Sequence, residues 1–410
     1  MAKYSLDDLI TFALGLFAFS VIFSVTAVEA ALFLTLILLL AKKYREQTLS
    51  DLLPSLTRHT LFAPWLIYLA VCLITALAAY YPAKALGQLN SDFLKYLCLA
   101  TLLLAVKKEH LPRLSAAYTA GAVIAALVGI TEVFRSIISG DTDVVRANAF
   151  MNAVRYGEVM GIAFTLALSQ AILPQKESFR HEGLYYKAAA ILLFAAVLLS
   201  QTRGAYLGTA AAIIFALAFS RASVKKVFTY GLALLTITAF LAALNPSIRQ
   251  RFSKATPAPE RQVAVQPEVR TYSSVNIRLE LWQLGWKMFK AHPVLGVGPD
   301  NVKKVFKKFH PDPIGYEETW GSLHNLYIHQ AAERGLLGLG TLLLLFAAFF
   351  MFALGKFRAT ASPYALWALC VLPAYYAMNL TEISFQHVHT AFAIFMALAF
   401  AAAEKAGSGN

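Results

Sequence analysis

Apolar residues in this chain come in long unbroken runs, and polar residues are confined to short punctuation between them. A run crosses a bilayer when it reaches roughly 20 residues, and about twelve such runs can be read here. Residues 9–41 are too long for one span and weaken around 26–29, so they predict two helices and a tight turn. Further spans are predicted at 61–80, 93–106, 114–137 and 158–173. Residues 188–220 form another double run, whose polar tip is Ser200-Gln201-Thr202-Arg203. The remaining spans are 227–244, 336–354, 365–380 and 388–403. The pattern divides the chain into a first helical block (1–244), one large polar interval (245–331) and a closing helical block (332–410).

Composition agrees with the pattern. The chain is 58 % hydrophobic and 14 % charged, whereas soluble domains carry about a quarter charged residues. The fold class predicted is an all-α polytopic membrane protein. A net charge of +13 would suggest nucleic acid in a soluble protein. Here it has a plainer source, because short cytoplasmic loops collect Lys and Arg. Lys42, Lys43 and Arg45, then Lys107, Lys108 and Arg113, then Lys176, Arg180 and Lys187, then Arg221, Lys225 and Lys226, and finally Lys356 and Arg358 all fall in alternate loops. Both termini are therefore expected in the cytoplasm, the first span as an uncleaved anchor, and the large interval on the outer face. Cys72, Cys98 and Cys370 lie inside apolar runs and predict neither a disulfide framework nor a metal cluster.

Arg146, Arg155, Arg203 and Arg278 depart from the charge rule, since they fall on the outer side. Arginine beside apolar sequence is costly, so it either snorkels to headgroups or serves a function. Guanidinium groups match phosphate and diphosphate geometry. Four of them on one side point to a phosphate-bearing lipid.

Within the interval, Ile277, Leu281, Leu284 and Met288 recur at helical spacing, widened by Trp282, Trp286 and Phe289. They predict a helix lying at the membrane surface. Val302, Val305, Phe306 and Phe309 face one way and Lys303, Lys304, Lys307 and Lys308 the other. That pattern suits an interfacial anchor with snorkelling lysines, a surface gathering lipid phosphates, or both. Ser322 is the expected N-cap of the next helix, which would put His324 in its first turn. There the helix dipole disfavours an added positive charge, and a neutral imidazole suits a general base. A solitary loop histidine is more often structural. The position at a helix mouth, facing a basic segment, raises the catalytic reading to parity with it. His329 reads as structural, and His387 with His389 as a weak candidate metal pair. Asp141-Thr142-Asp143 reads better as a polar turn than as a metal-binding string. The sequence holds no Walker loop or convincing dinucleotide fingerprint, so a nucleotide-driven pump is not expected.

Three stretches resemble the O-antigen ligase family. They are Ser200-Gln201-Thr202-Arg203-Gly204-Ala205-Tyr206-Leu207-Gly208; Arg278-Leu279-Glu280-Leu281-Trp282 with Pro293-Val294-Leu295-Gly296-Val297-Gly298; and His324-Asn325-Leu326-Tyr327 followed by Glu333-Arg334-Gly335. The resemblance implies a GT-C-like membrane glycosyltransferase with one large periplasmic loop, working at the periplasmic face of the bacterial inner membrane. Its donor would be O-antigen on undecaprenyl diphosphate, and its acceptor a sugar hydroxyl of lipid A–core. By the same resemblance His324 is the base, and Arg203 and Arg278, with Arg146 and Arg155 carried over less directly, bind the diphosphate. The reaction would be inverting and would need no metal, nucleotide or other cofactor. O-antigen polymerases and protein O-oligosaccharyltransferases share these motifs. A transporter for a lipid-linked anion is a more distant alternative, because the spans carry few ionisable residues along a midplane path.

Overall fold

The computed structural model describes residues 5–139, 146–173, 181–220 and 274–404. Among them every regular element is helical. The predicted span at 227–244, the polar stretch at 245–273, Asp141-Thr142-Asp143, and the basic residues Lys176, Arg180, Arg221, Lys225 and Lys226 lie outside the described residues.

The chain opens with α1 (Leu6–Ser20) and α2 (Val25–Arg45). Ser5 and Asp8 cap α1 reciprocally, and the Ser24 side chain caps α2. The break therefore falls at 21–24, before the predicted 26–29, because a serine that can accept the orphan N–H groups outweighs the later polar residues. A short α3 (Leu52–Thr57) and α4 (Phe62–Leu77) follow, then α5 (Pro82–Ala105), α6 (Leu111–Ile138), α7 (Ala153–Ile172), α8 (Glu182–Leu199) and α9 (Arg203–Phe219). After the undescribed stretch come α10 (Ser274–Ala291), α11 (Val302–Phe309), α12 (Leu326–Thr360), α13 (Pro363–Met378) and α14 (Val388–Ala403).

Among the described residues four helical segments are long and apolar enough to cross a membrane: Val25–Arg45, Lys108–Ile138, Glu182–Leu199 and Leu326–Thr360. A bent pair, Leu49–Thr57 with Phe62–Leu77, makes a fifth if taken as one span. The chain is a multi-pass, all-α membrane protein. Its middle is formed by α7, α13 and α14, which are buried along nearly their whole length. The surrounding helices keep exposed leucine, isoleucine and phenylalanine faces, such as Phe12, Ile37, Ile67, Ile191 and Ile214. Such faces suit lipid rather than water.

The polar interval builds a second, smaller core. Ile277, Leu281, Leu284 and Met288 of α10 pack with Val302, Val305 and Phe306 of α11, and with Ile314, Leu323 and Ala332. The helical stripe is covered by protein, because two amphipathic helices with a shared loop can bury each other's apolar faces.

α12 begins at Leu326, ten residues before the predicted span, and is broken at Gly335 (φ 62°). The break frees carbonyls that the turn at 293–298 then uses. The N–H groups of Val297 and Gly298 bond to the carbonyls of Ala332 and Glu333 at 2.9 and 2.8 Å, and Leu336 N–H bonds to Pro293 at 2.7 Å. Gly296 and Gly335 both have positive φ, and a Cβ on either would collide with the opposing backbone. Two of the sequence motifs thus meet as one backbone clamp that seats the polar interval on α12.

Candidate functional site

His324 sits outside α12. Asn325 caps that helix, its side chain accepting the Ile328 N–H at 3.1 Å. The predicted cap, Ser322, instead accepts the N–H of His324 at 3.1 Å. The expectation that His324 lies in the first helical turn is therefore corrected: the cap falls three residues later, and His324 immediately precedes it. This local bond holds His324 in the left-handed region, with φ 48°. For a non-glycine residue that conformation costs roughly 1–2 kcal/mol, and strain of this kind persists where surrounding structure enforces it.

The imidazole Nδ1 lies 2.9 Å from Oε2 of Glu382. The other oxygen of the same carboxylate, Oε1, accepts from Arg278 at 2.5 Å. Glu382 is buried, in the short loop between α13 and α14. Burial works against its charge. The His324 hydrogen bond and the adjacent Arg278 guanidinium outweigh it and hold the carboxyl below the usual carboxylate range. An ionised carboxylate only accepts, so Nδ1 of His324 is the donor. In the neutral ring that leaves Nε2 with its lone pair, as a general base requires.

The Glu382 loop is fastened on every side. Leu326 N–H bonds to the carbonyls of Asn379 and Glu382, at 2.9 and 3.1 Å. The Asn325 side-chain amide donates to Leu380 at 2.9 Å, and the Asn379 side chain accepts from Phe385 at 3.1 Å. Ser384 donates to the buried Glu158 of α7 at 2.5 Å. The residue that caps α12 thereby also grips the loop that orients His324.

The four arginines differ in their surroundings. Arg278, on α10, is joined to His324 through Glu382. Arg203 opens α9 and is half buried, and its neighbour Gly204 presses against Thr381 and Met378, one and four residues before Glu382. Arg146 braces the α8–α9 tip, donating from Nε to the Ser200 carbonyl and from a terminal nitrogen to Thr202 Oγ1, both at 2.9 Å. Arg155, exposed on the first turn of α7, acts electrostatically on His387. Burial first, then the Arg155 charge, push that imidazole down to about 4.

His329 is buried and pairs with Glu333 at 3.3 Å. His389 bonds through Nδ1 to the Val21 carbonyl at 2.7 Å. Among the described residues no three His, Cys, Asp or Glu side chains gather as a metal-holding group. Glu382 escaped the sequence reading. Its only signal there is a lone carboxylate in a short turn between two spans, 58 residues from the histidine it serves.

A family model described as O-antigen ligase matches residues 188–343, a stretch that holds Arg203, Arg278 and His324. Over this stretch the chain resembles the O-antigen ligase family. The family consists of glycan-transferring membrane enzymes, and the match takes in most of α8, then α9 to α11 and the first half of α12. Glu382, Arg146 and Arg155 lie beyond it. No curated protein matches the chain.

Proposed function

We propose that this protein is an O-antigen ligase, moving O-antigen from undecaprenyl diphosphate to a sugar hydroxyl of lipid A–core. The observation that carries the reading is the Glu382 carboxylate, with His324 on one oxygen and Arg278 on the other. In this account His324 Nε2 takes the proton of the acceptor hydroxyl, and the oxygen attacks the anomeric carbon from the face opposite the diphosphate. The bond from that carbon to the phosphate oxygen breaks, and configuration inverts. The proton stays on the imidazole, where Glu382 stabilises the cation.

Negative charge grows on the departing undecaprenyl diphosphate. Arg203 and Arg278 neutralise it from fixed positions, as preorganised electrostatics requires, and Arg155 adds to the field. Arg146 shapes the hairpin tip that presents Arg203 and adds its charge to the same field. The guanidinium groups take the part a divalent cation would otherwise play, so transfer proceeds without metal or nucleotide. Twelve spans with cytoplasmic termini would set this site at the periplasmic face of the inner membrane, with 1–244 and 332–410 flanking the outer interval 245–331.

The test is transfer by purified protein from lipid-linked glycan to lipid A–core, in detergent with chelator present. Wild type should transfer, and His324→Ala should lose about 10²–10⁴-fold in rate while still binding donor. Near-normal transfer by His324→Ala would overturn the mechanism. Glycan extended on its own lipid carrier, or moved to a protein hydroxyl, would overturn the choice of acceptor.

A further inference from the structure

The loop at 310–324 carries two large aromatic side chains that the chemistry above does not use. Tyr316 is 78 % exposed, an unusual state for a tyrosine whose ring already has a neighbour. Its ring centroid lies 5.3 Å from that of Trp320, edge to face at 63°. Trp320 in turn lies 5.7 Å from the His324 ring, at 72°. The three rings run as a string from the open surface to the imidazole.

The indole is fixed in place. Its Nε1–H donates to the Ile314 carbonyl at 2.8 Å, and Ile314 is buried in the small core with Leu323. Gly321 follows Trp320 and is exposed. A Cβ placed there would stand 3.8 Å from Cβ of Lys303 and 4.0 Å from its Cδ, so the lysine stem runs directly past the string. Among the described residues no carboxylate lies within ion-pair distance of Lys303.

We propose that Tyr316 and Trp320 form a platform for a pyranose ring of the acceptor glycan, with Lys303 as a flanking donor to its hydroxyl or anionic substituents. The proposal rests on the reading of His324 as the base. A pyranose has one face of axial C–H groups, and these carry slight positive charge. Aromatic faces are negative, so such a face stacks on indole or phenol. The acceptor, rather than the donor, is assigned by the sides of His324. Its Nδ1 looks to Glu382 and Arg278, the diphosphate side. The aromatic string approaches the same imidazole from the loop that precedes it. A sugar seated there brings a hydroxyl to the ring that must deprotonate it, and a rigid indole does so at little cost in entropy.

The experiment measures KM separately for donor and for a deacylated acceptor oligosaccharide, in detergent, so that a lipid contact of the aromatic rings cannot contribute. Trp320→Ala should raise the acceptor KM by about tenfold, with the donor KM unchanged. Tyr316→Ala, at an exposed position that folding does not need, should raise it severalfold, and Trp320→Phe should keep most of the affinity. Unchanged acceptor KM in both alanine variants, or a rise in the donor KM instead, overturns the platform while leaving the ligase reading intact. Wild-type protein that transfers glycan to no acceptor removes the ligase reading and the platform together.

Discussion

Two buried-carboxylate clusters among the described residues are built to different ends. One is Glu382 with His324 and Arg278. The other joins α5 to α12: Arg334 meets Asp92 at 2.8 Å and Glu333 at 3.6 Å, and Lys95 meets Asp92 at 3.5 Å. In the second cluster the side chains of Arg334, Asp92, Glu333 and Lys95 are only 1–4 % exposed. In the first, the carboxylate is 7 % exposed, but His324 and Arg278 retain 28 % and 24 %. A closed charge cluster can only be structure. It seats the broken helix and the 293–301 turn, since Glu333 also accepts the Asp300 N–H at 2.7 Å. A cluster with a buried anion and two half-open partners keeps one side for something that arrives.

That contrast can be broken by substitutions that should act on stability in one cluster and on chemistry in the other. The largest effect is expected from Arg334→Met, which takes the shared guanidinium from Asp92 and Glu333 and leaves Lys95 as the cluster's one remaining Lys or Arg. Losing one partner of a buried pair costs about 3–5 kcal/mol, visible as a large drop in thermal midpoint in detergent. Adding Asp92→Asn should recover part of it. An unchanged midpoint would show that the closed cluster bears no load. Glu382→Gln should do the reverse. It should cost about 10²–10⁴-fold in transfer rate, with a much smaller change in midpoint.

A third prediction concerns acid. The His387 pKa is depressed to about 4 from an ordinary 6.5. Between those values the unfolded chain binds more protons than the folded one, so stability falls as pH drops from about 6.5 towards 4. The loss is up to about 3 kcal/mol. Glu382, with its lowered pKa, adds stability that is present above its ordinary value of about 4.5 and is lost as pH falls through its folded value. The stabilities of wild type and His387→Asn should therefore change relative to each other between about pH 4 and 6.5, and run parallel on either side of that window. Parallel curves throughout would contradict the burial account. The smallest effect is expected from Arg278→Lys, which keeps the charge and loses the fork. Transfer should fall by about tenfold, the worth of one charge-assisted hydrogen bond, and an equal rate would show that geometry at this position is irrelevant.

The all-helical membrane character was legible because a bilayer imposes run length on the sequence, and the break between α8 and α9 falls at the predicted polar tip. Arg203, Arg278 and His324 stood out because charge and imidazole beside apolar sequence are expensive. Glu382 did not, since one acidic residue in a short turn looks like an ordinary polar connection until the fold brings α13's end to α12's start. The capping of α12 was misread for a related reason: Ser322 and Asn325 are both good caps, and only the three-dimensional grip of Asn325 on Leu380 decides between them. Arg334 and Asp92, 242 residues apart, carried no local signal of their pairing at all.

The central claim is that Glu382 and His324 act as one unit on the acceptor hydroxyl. A double-mutant cycle in the reconstituted transfer assay tests it most directly. If the carboxylate works only through the imidazole, Glu382→Gln combined with His324→Ala should be no slower than His324→Ala alone, to within about threefold. Losses that multiply, or a His324→Ala protein that transfers glycan at a near-normal rate, would contradict it.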